Sequence, residues 1–170
     1  MKAELDNAEY WFLKQKALDI LSRRDHSTQE LVQKLQLAIQ RKRRVTPQLN
    51  EQRYLDNIAA VVNWGLAQGL LNDPVFIERY TVSRARQGYG PQRIYHDLIA
   101  KGSPREEVET YLQDVEIDWQ ELAQQVATKK IGTIRRINYK QQVKLQSFLY
   151  YRGFNREQIH AVMKNFINEA

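Results

Sequence analysis

Three observations predict an all-α fold for this chain of 170 residues. Apolar residues recur at helical spacing along almost its whole length, and helix start and stop signals separate the runs. Only 7 glycines and 4 prolines are present, too few for a loop-rich β protein. No segment shows a competing period-two alternation. Hydrophobic residues at 42% and aromatics at 10% suffice for a packed core.

The elements follow in order. Tyr10, Leu13, Ala17 and Ile20/Leu21 form the stripe of a first helix, widened by Trp11 and Leu18. Ser27 caps the second, with Glu30 in the capping-box position and Leu31, Leu35 and Ala38/Ile39 buried. After a basic loop at Arg41, Lys42, Arg43 and Arg44, a third helix carries Tyr54, Ile58, Val61/Val62 and Leu66 and stops near Gly69. Asp73-Pro74 reads as an N-cap followed by proline at the first helical position, opening a fourth helix with Phe76/Ile77 and Tyr80 that ends at Gly88.

Gly90-Pro91 opens the fifth, with Ile94 and Leu98 inward and Gly102 as terminator. Ser103-Pro104-Arg105-Glu106 combines a capping box with proline to start the sixth, carrying Val108 and Tyr111/Leu112. Asp118, with Glu121 in the box position, starts the seventh, with Trp119, Leu122/Ala123 and Val126. The eighth presents Gln141, Leu145 and Phe148/Leu149 before Gly153. The ninth opens at Asn155 with Gln158 in the box position, then Ile159, Val162/Met163 and Phe166. Helices this short are marginal alone and must pack on neighbours. Nine of them in series suggest three tandem three-helix repeats, over residues 8–70, 73–115 and 117–168, with no flexible linker between them.

One helix joint is written three times: RRDHSTQEL at 23–31, RQGYGPQRI at 86–94 and YRGFNREQI at 151–159. The alignment superimposes His26, Tyr89 and Phe154, then Leu31, Ile94 and Ile159, then Leu35, Leu98 and Met163. A ring just before a helix can staple its first turn, while aliphatics at i and i+4 key that helix to the preceding one. Internal duplication of a small helical unit accounts for the repetition. The third joint lies between the eighth and ninth helices, whereas the others join the first to the second and the fourth to the fifth, so the last triad is permuted or divergent.

Charge supplies the functional signal. Lys+Arg of 26 against Asp+Glu of 20 gives a formal +6, and the excess is local. From Lys129 to Arg156 the chain holds Lys129, Lys130, Arg135, Arg136, Lys140, Lys144, Arg152 and Arg156 and no acidic residue. The skew points to an anionic partner: nucleic acid, an acidic protein face, or both. No cysteine is present, which excludes disulfides and thiolate chemistry and suits a reducing compartment. No apolar run suggests a signal peptide or membrane span, so the expected location is the cytoplasm.

At this level of detail ALDILSRRDHSTQELVQKL, GLLNDPVFIERYTVSRARQGYGPQRIYHDLIAKG, DWQELAQQVATKK and QQVKLQSFLYYRGF together resemble the RecX family over nearly the whole chain. The middle segment is the most specific: an acidic residue, an aromatic and an Arg-rich helix lead into Gly-x-Gly-Pro-x-Arg-Ile and end at Lys-Gly. Two departures are Asn72-Asp73, where the family usually has Asp-Asp, and Ile77, where it usually has alanine. The resemblance implies three three-helix repeats in an elongated, curved array. It also implies a regulator of the RecA recombinase that lies in the groove of the RecA–single-stranded-DNA filament. Effective concentration along an extended repeat protein predicts that the filament is preferred over the RecA monomer, and the chain itself is expected to be a monomer. Such a regulator bridges protomers, blocks filament growth and lowers ATP-driven activity. It implies neither a cofactor nor catalytic residues.

Arg79, Arg84, Arg86 and Arg93 surround the second joint and form one candidate surface for acidic RecA or DNA phosphate. Lys129, Lys130, Arg135, Arg136, Lys140, Lys144 and Arg152 form another. Tyr89 is either a staple ring or an exposed contact. The competing reading is a nucleic-acid-binding helix-turn-helix repeat protein, with Arg93 or Arg156 near a helix start. A generic helical scaffold is the third. An enzyme is not expected. His26, His96 and His160 lack metal-ligand spacing, and Gly88-Tyr89-Gly90 lacks the strand and the Gly-Lys-Ser/Thr ending of a phosphate loop.

Overall fold

The computed structural model describes residues 8–132 and 137–167 and is all-α over them. It holds nine helices and no strand among the described residues: α1 Ala8–Leu21, α2 Thr28–Val45, α3 Glu51–Ala67, α4 Asp73–Arg86, α5 Pro91–Ala100, α6 Arg105–Asp114, α7 Trp119–Ile131, α8 Tyr139–Arg152 and α9 Arg156–Ile167. They group into two compact units. One comprises 8–76 with 101–103; the other comprises 77–100 with the described residues from 104 onward.

In the first unit α1, α2 and α3 pack on one another. Leu13, Ala17, Leu31, Leu35, Ile39, Ile58, Val61, Val62 and Leu71 are its core, ringed by Tyr10, Phe12, Tyr54 and other half-buried residues. Each buried Leu or Ile contributes about 1.5–3 kcal/mol relative to exposure. In the second unit α7, α8 and α9 contact one another pairwise and α5 packs on α6. Its main cluster is Ala123, Ala127, Ile137, Leu145, Leu149, Phe154, Val162 and Met163. Ile94, Leu98 and Val108 are buried around the α5–α6 pair.

Local chemistry departs from the sequence reading at several helix ends. Arg41–Arg44 are not a loop: α2 continues to Val45 through them. Arg and Lys are good helix formers and complement the negative helix C-terminus. Ser27 caps α2 by accepting from the Glu30 amide at 3.0 Å. Glu30 does not reciprocate, because its carboxylate takes two bonds from Arg24 and an ion pair from Lys101. Ser27 also donates to the Lys101 carbonyl.

α4 is capped by Asn72, whose Oδ1 accepts from the Val75 amide at 3.1 Å, so Pro74 stands one position further in than expected. Asp73 instead accepts from the Thr28 amide at 2.7 Å, neutralising an orphan donor at the start of α2. The Ser103 box does not form. α6 begins at Arg105 without a side-chain cap, and the buried Ser103 hydroxyl has no partner among the described residues. Asp118 caps α7, but Glu121 accepts from Gln125 rather than from the cap. Reciprocal boxes do form at Asn155–Gln158, as expected, and at Asn138–Gln141, which the sequence reading passed over.

Candidate functional site

The second and third copies of the joint meet inside the second unit. The Gly90 amide donates to the Arg152 carbonyl at 2.8 Å, and the Gln92 amide donates to the Gly153 carbonyl at 3.1 Å. Gly153 ends α8 in the left-handed conformation at φ 90°, which only glycine adopts without strain. The approach is so close that a Cβ on Gly90 would stand 2.5 Å from the Gly153 oxygen, and one on Gly153 would clash with the Arg93 amide nitrogen. Gly88, at φ +80°, seats the same turn against Val126 of α7.

This junction creates a cleft of about 420 Å³. Its cations are Arg86 from the end of α4, Lys129 and Lys130 from the last turn of α7, and Arg152 from the last turn of α8; Val126 and Phe148 supply apolar wall. No acidic side chain is among its described lining residues. Arg152 is held in place: it donates to the Gln87 carbonyl at 2.8 Å and lies over the rings of Tyr89 at 4.9 Å and Phe148 at 5.1 Å. Lys130 lies over Phe148 at 5.0 Å. Cation–π contacts fix these cations without neutralising them.

Beside the cleft, Asp97 organises a different set. Its carboxylate accepts from Arg84 at 2.8 Å, Arg93 at 3.1 Å and the Tyr80 hydroxyl at 3.1 Å. Burial pushes the Asp97 carboxyl up, but the hydrogen bonds from Arg84 and Tyr80 and the charge of Arg93 outweigh it. The carboxyl therefore sits below its ordinary range. Arg84 also stacks over Tyr89 at 4.2 Å. The half-buried Tyr89 thus lies under two guanidiniums and combines packing with contact, rather than taking one of the two roles posed for it.

The expected basic residues therefore separate. Arg86, Lys129, Lys130 and Arg152 share the cleft. Arg84 and Arg93 pair with Asp97. Arg79 is exposed on α4 and lines a shallow groove with Arg86 and Glu78. Lys140 and Lys144 are exposed on α8, and Lys144 shares a small groove with Lys130. Arg135 and Arg136 lie outside the described residues. Of the joint residues, His26, Leu31, Ile94 and Phe154 are buried, and Ile159 is half-buried against the core of the second unit. Sequence reading missed Asp97, although its spacing of four from Arg93 on a helix signals an ion pair. Among the described residues, no group of three or more His, Asp or Glu could hold a metal ion, and no helix is long and apolar enough to cross a membrane.

A tandem helical-repeat protein with an acid-free cationic cleft is the class that this fold and site define. Family models for the RecX third three-helix domain and first three-helix domain match residues 116–163 and 14–38. The chain is 39% identical over 157 residues to the regulatory protein RecX of Cronobacter sakazakii, covering 92% of this chain and 93% of that one. It is 38% identical, at the same coverage, to the regulatory protein RecX of Salmonella paratyphi C. Its fold is similar to the crystal structure of RecX from Lactobacillus salivarius, with TM-score 0.67 and 20% identity over 93% of this chain and 96% of that one. The chain belongs to the RecX family of regulatory proteins.

Proposed function

We propose that this chain is a non-enzymatic regulator of a RecA recombinase, binding the RecA–single-stranded-DNA filament and mainly lowering filament growth, ATP hydrolysis and strand exchange. It acts as a cytoplasmic monomer of three three-helix repeats, over 8–70, 73–115 and 117–168, and needs no cofactor. Family membership supports the partner. The cleft carries the mechanism: Arg86, Lys129, Lys130 and Arg152 offer several cations to carboxylates of RecA or phosphates of the filament DNA. Arg79, Lys140 and Lys144 extend this basic surface, whereas Arg84 and Arg93 serve it by orientation through Asp97.

Preference for filament over monomeric RecA follows from effective concentration. Weak contacts to neighbouring protomers add when the protomers are already aligned, and the free protein cannot offer them together. The test is the single-stranded-DNA-dependent ATPase of RecA, titrated with this chain, beside direct binding to filament and to monomer at equal salt. A dose-dependent fall with tighter filament binding is expected. An unaffected ATPase at saturating protein overturns the reading.

A sequence-specific helix-turn-helix reading is weaker. Arg93, placed at the start of α5 where a base-reading side chain would stand, directs its Nε–H to Asp97.

A further inference from the structure

Helix α8 carries a feature that the cleft does not use. Tyr139, Tyr150 and Tyr151 are 80%, 72% and 74% exposed, although tyrosine usually lies at least half covered. At 100° per residue, Tyr139, Val143 and Tyr150 (spacing i, i+4, i+11) fall in one stripe. Lys140, Lys144 and Tyr151, with the same spacing, fall in the adjacent stripe on the cleft-facing side. Gln146 and Ser147 complete the exposed surface, and α8 has no acidic residue.

We propose that this outer face of α8 is a stacking surface for single-stranded nucleic acid: the tyrosine rings take bases, and Lys140 and Lys144 follow the phosphates. Rings interleaved with cations are the arrangement that binds a single strand without reading its sequence, because every base has a π-face. The rise of a helix separates Tyr139 from Tyr150 by about 16 Å, the length of about five nucleotides at the stacked spacing of ~3.4 Å. Arg93, paired with Asp97, lies over Tyr151 at 5.7 Å and braces that ring. A protein partner fits less well. Aromatic anchors of protein interfaces sit in desolvated apolar pockets, whereas these rings are separated by Lys, Gln and Ser, with Val143 the one exposed aliphatic among them.

The inference goes beyond the recombinase reading, and its binding readout contains no RecA, so the two fail separately. Binding of fluorescein-labelled oligothymidylate to the full chain is followed by anisotropy at several salt concentrations. Changing Tyr139→Ala with Tyr150→Ala should weaken binding about tenfold or more with circular dichroism unchanged, while Tyr139→Phe with Tyr150→Phe stays within about threefold. Lys140→Gln with Lys144→Gln should flatten the salt dependence by about 0.7 for each phosphate no longer neutralised. An abasic strand of equal length should bind the unaltered chain no better than the alanine variant binds oligothymidylate. The proposal is overturned if the unaltered chain does not bind, if the alanine pair binds like it, or if the phenylalanine pair loses as much as the alanine pair. It is equally overturned if the alanine pair loses suppression of RecA while keeping the oligonucleotide, which makes the face a protein contact.

Discussion

The amide of Gly90 donates to the carbonyl of Arg152 at 2.8 Å, joining two copies of one sequence motif that stand 65 residues apart along the chain. That bond fixes the last residue of α8 against the first turn of α5. The Arg152 guanidinium, pinned to the Gln87 carbonyl, is thereby held at the edge of the cationic cleft.

Gly90→Ala and Gly153→Ala should each destabilise the protein by roughly 1–3 kcal/mol. At Gly153 the strain of φ +90° adds to the clash with Arg93; at Gly90 the clash with Gly153 acts alone. Gly69→Ala is the control, since φ is +68° but nothing lies within 4 Å, so its cost should be about 1 kcal/mol. Urea unfolding of the three variants gives the ranking, with Gly153→Ala the most damaging.

His26 makes stability of the first unit depend on pH. Its Nδ1–H donates to the Arg24 carbonyl at 2.8 Å, while buried Nε2 has no partner among the described residues, which suits a neutral ring. Burial is the main cause that lowers its pKa, with the Arg24 and Lys34 charges adding to it. The unfolded chain therefore binds the proton more tightly. The contribution is complete above the ordinary value of about 6.5 and is lost as pH falls below it toward the folded value. Urea midpoints should fall between pH 7.5 and 5.5, and His26→Phe should flatten that slope. Glu30 and Asp97, also lowered, add a second loss only in the more acidic carboxylate range.

Asp97→Asn leaves Arg84 and Arg93 without their counter-charge and should cost about 1–3 kcal/mol. Arg86→Ala, at an exposed position, should change stability by less than about 0.5 kcal/mol. Thermal unfolding of both variants separates the two kinds of arginine environment.

Ser27 and Ser103 look alike in sequence, each followed three residues later by Glu, yet they should respond differently. Ser27→Ala removes the cap of Glu30 and a bond to the Lys101 carbonyl, at about 1–2 kcal/mol. Ser103→Ala removes a buried hydroxyl without a partner among the described residues and should be close to neutral. Paired denaturation curves check the contrast.

These cases show what was legible in the sequence. Periodicity located the helices, because burying an apolar stripe is a local requirement written at fixed spacing. Caps were half legible: Ser27 and Asp118 act as read, but Glu30 is drawn away by two bonds from Arg24 and by an ion pair from Lys101, which is distant in the chain. The acid-free run from Lys129 announced a basic surface, while the division of arginines between Asp97 and the cleft required the fold. The meeting of the second and third joints was not legible at all, since backbone-to-backbone contact leaves no side-chain signature except the small size of Gly90 and Gly153.

The most direct measurement is suppression of RecA's single-stranded-DNA-dependent ATPase by the Arg86→Glu, Lys129→Glu double variant, beside the unaltered chain at matched circular dichroism. Both side chains are exposed, so reversal should spare the fold while placing two negative charges in the cleft. The expected result is at least a tenfold rise in the concentration needed for half-suppression, about 1.4 kcal/mol or more. Suppression by the folded double variant at the concentration that suffices for the unaltered chain would contradict the cleft as the docking surface.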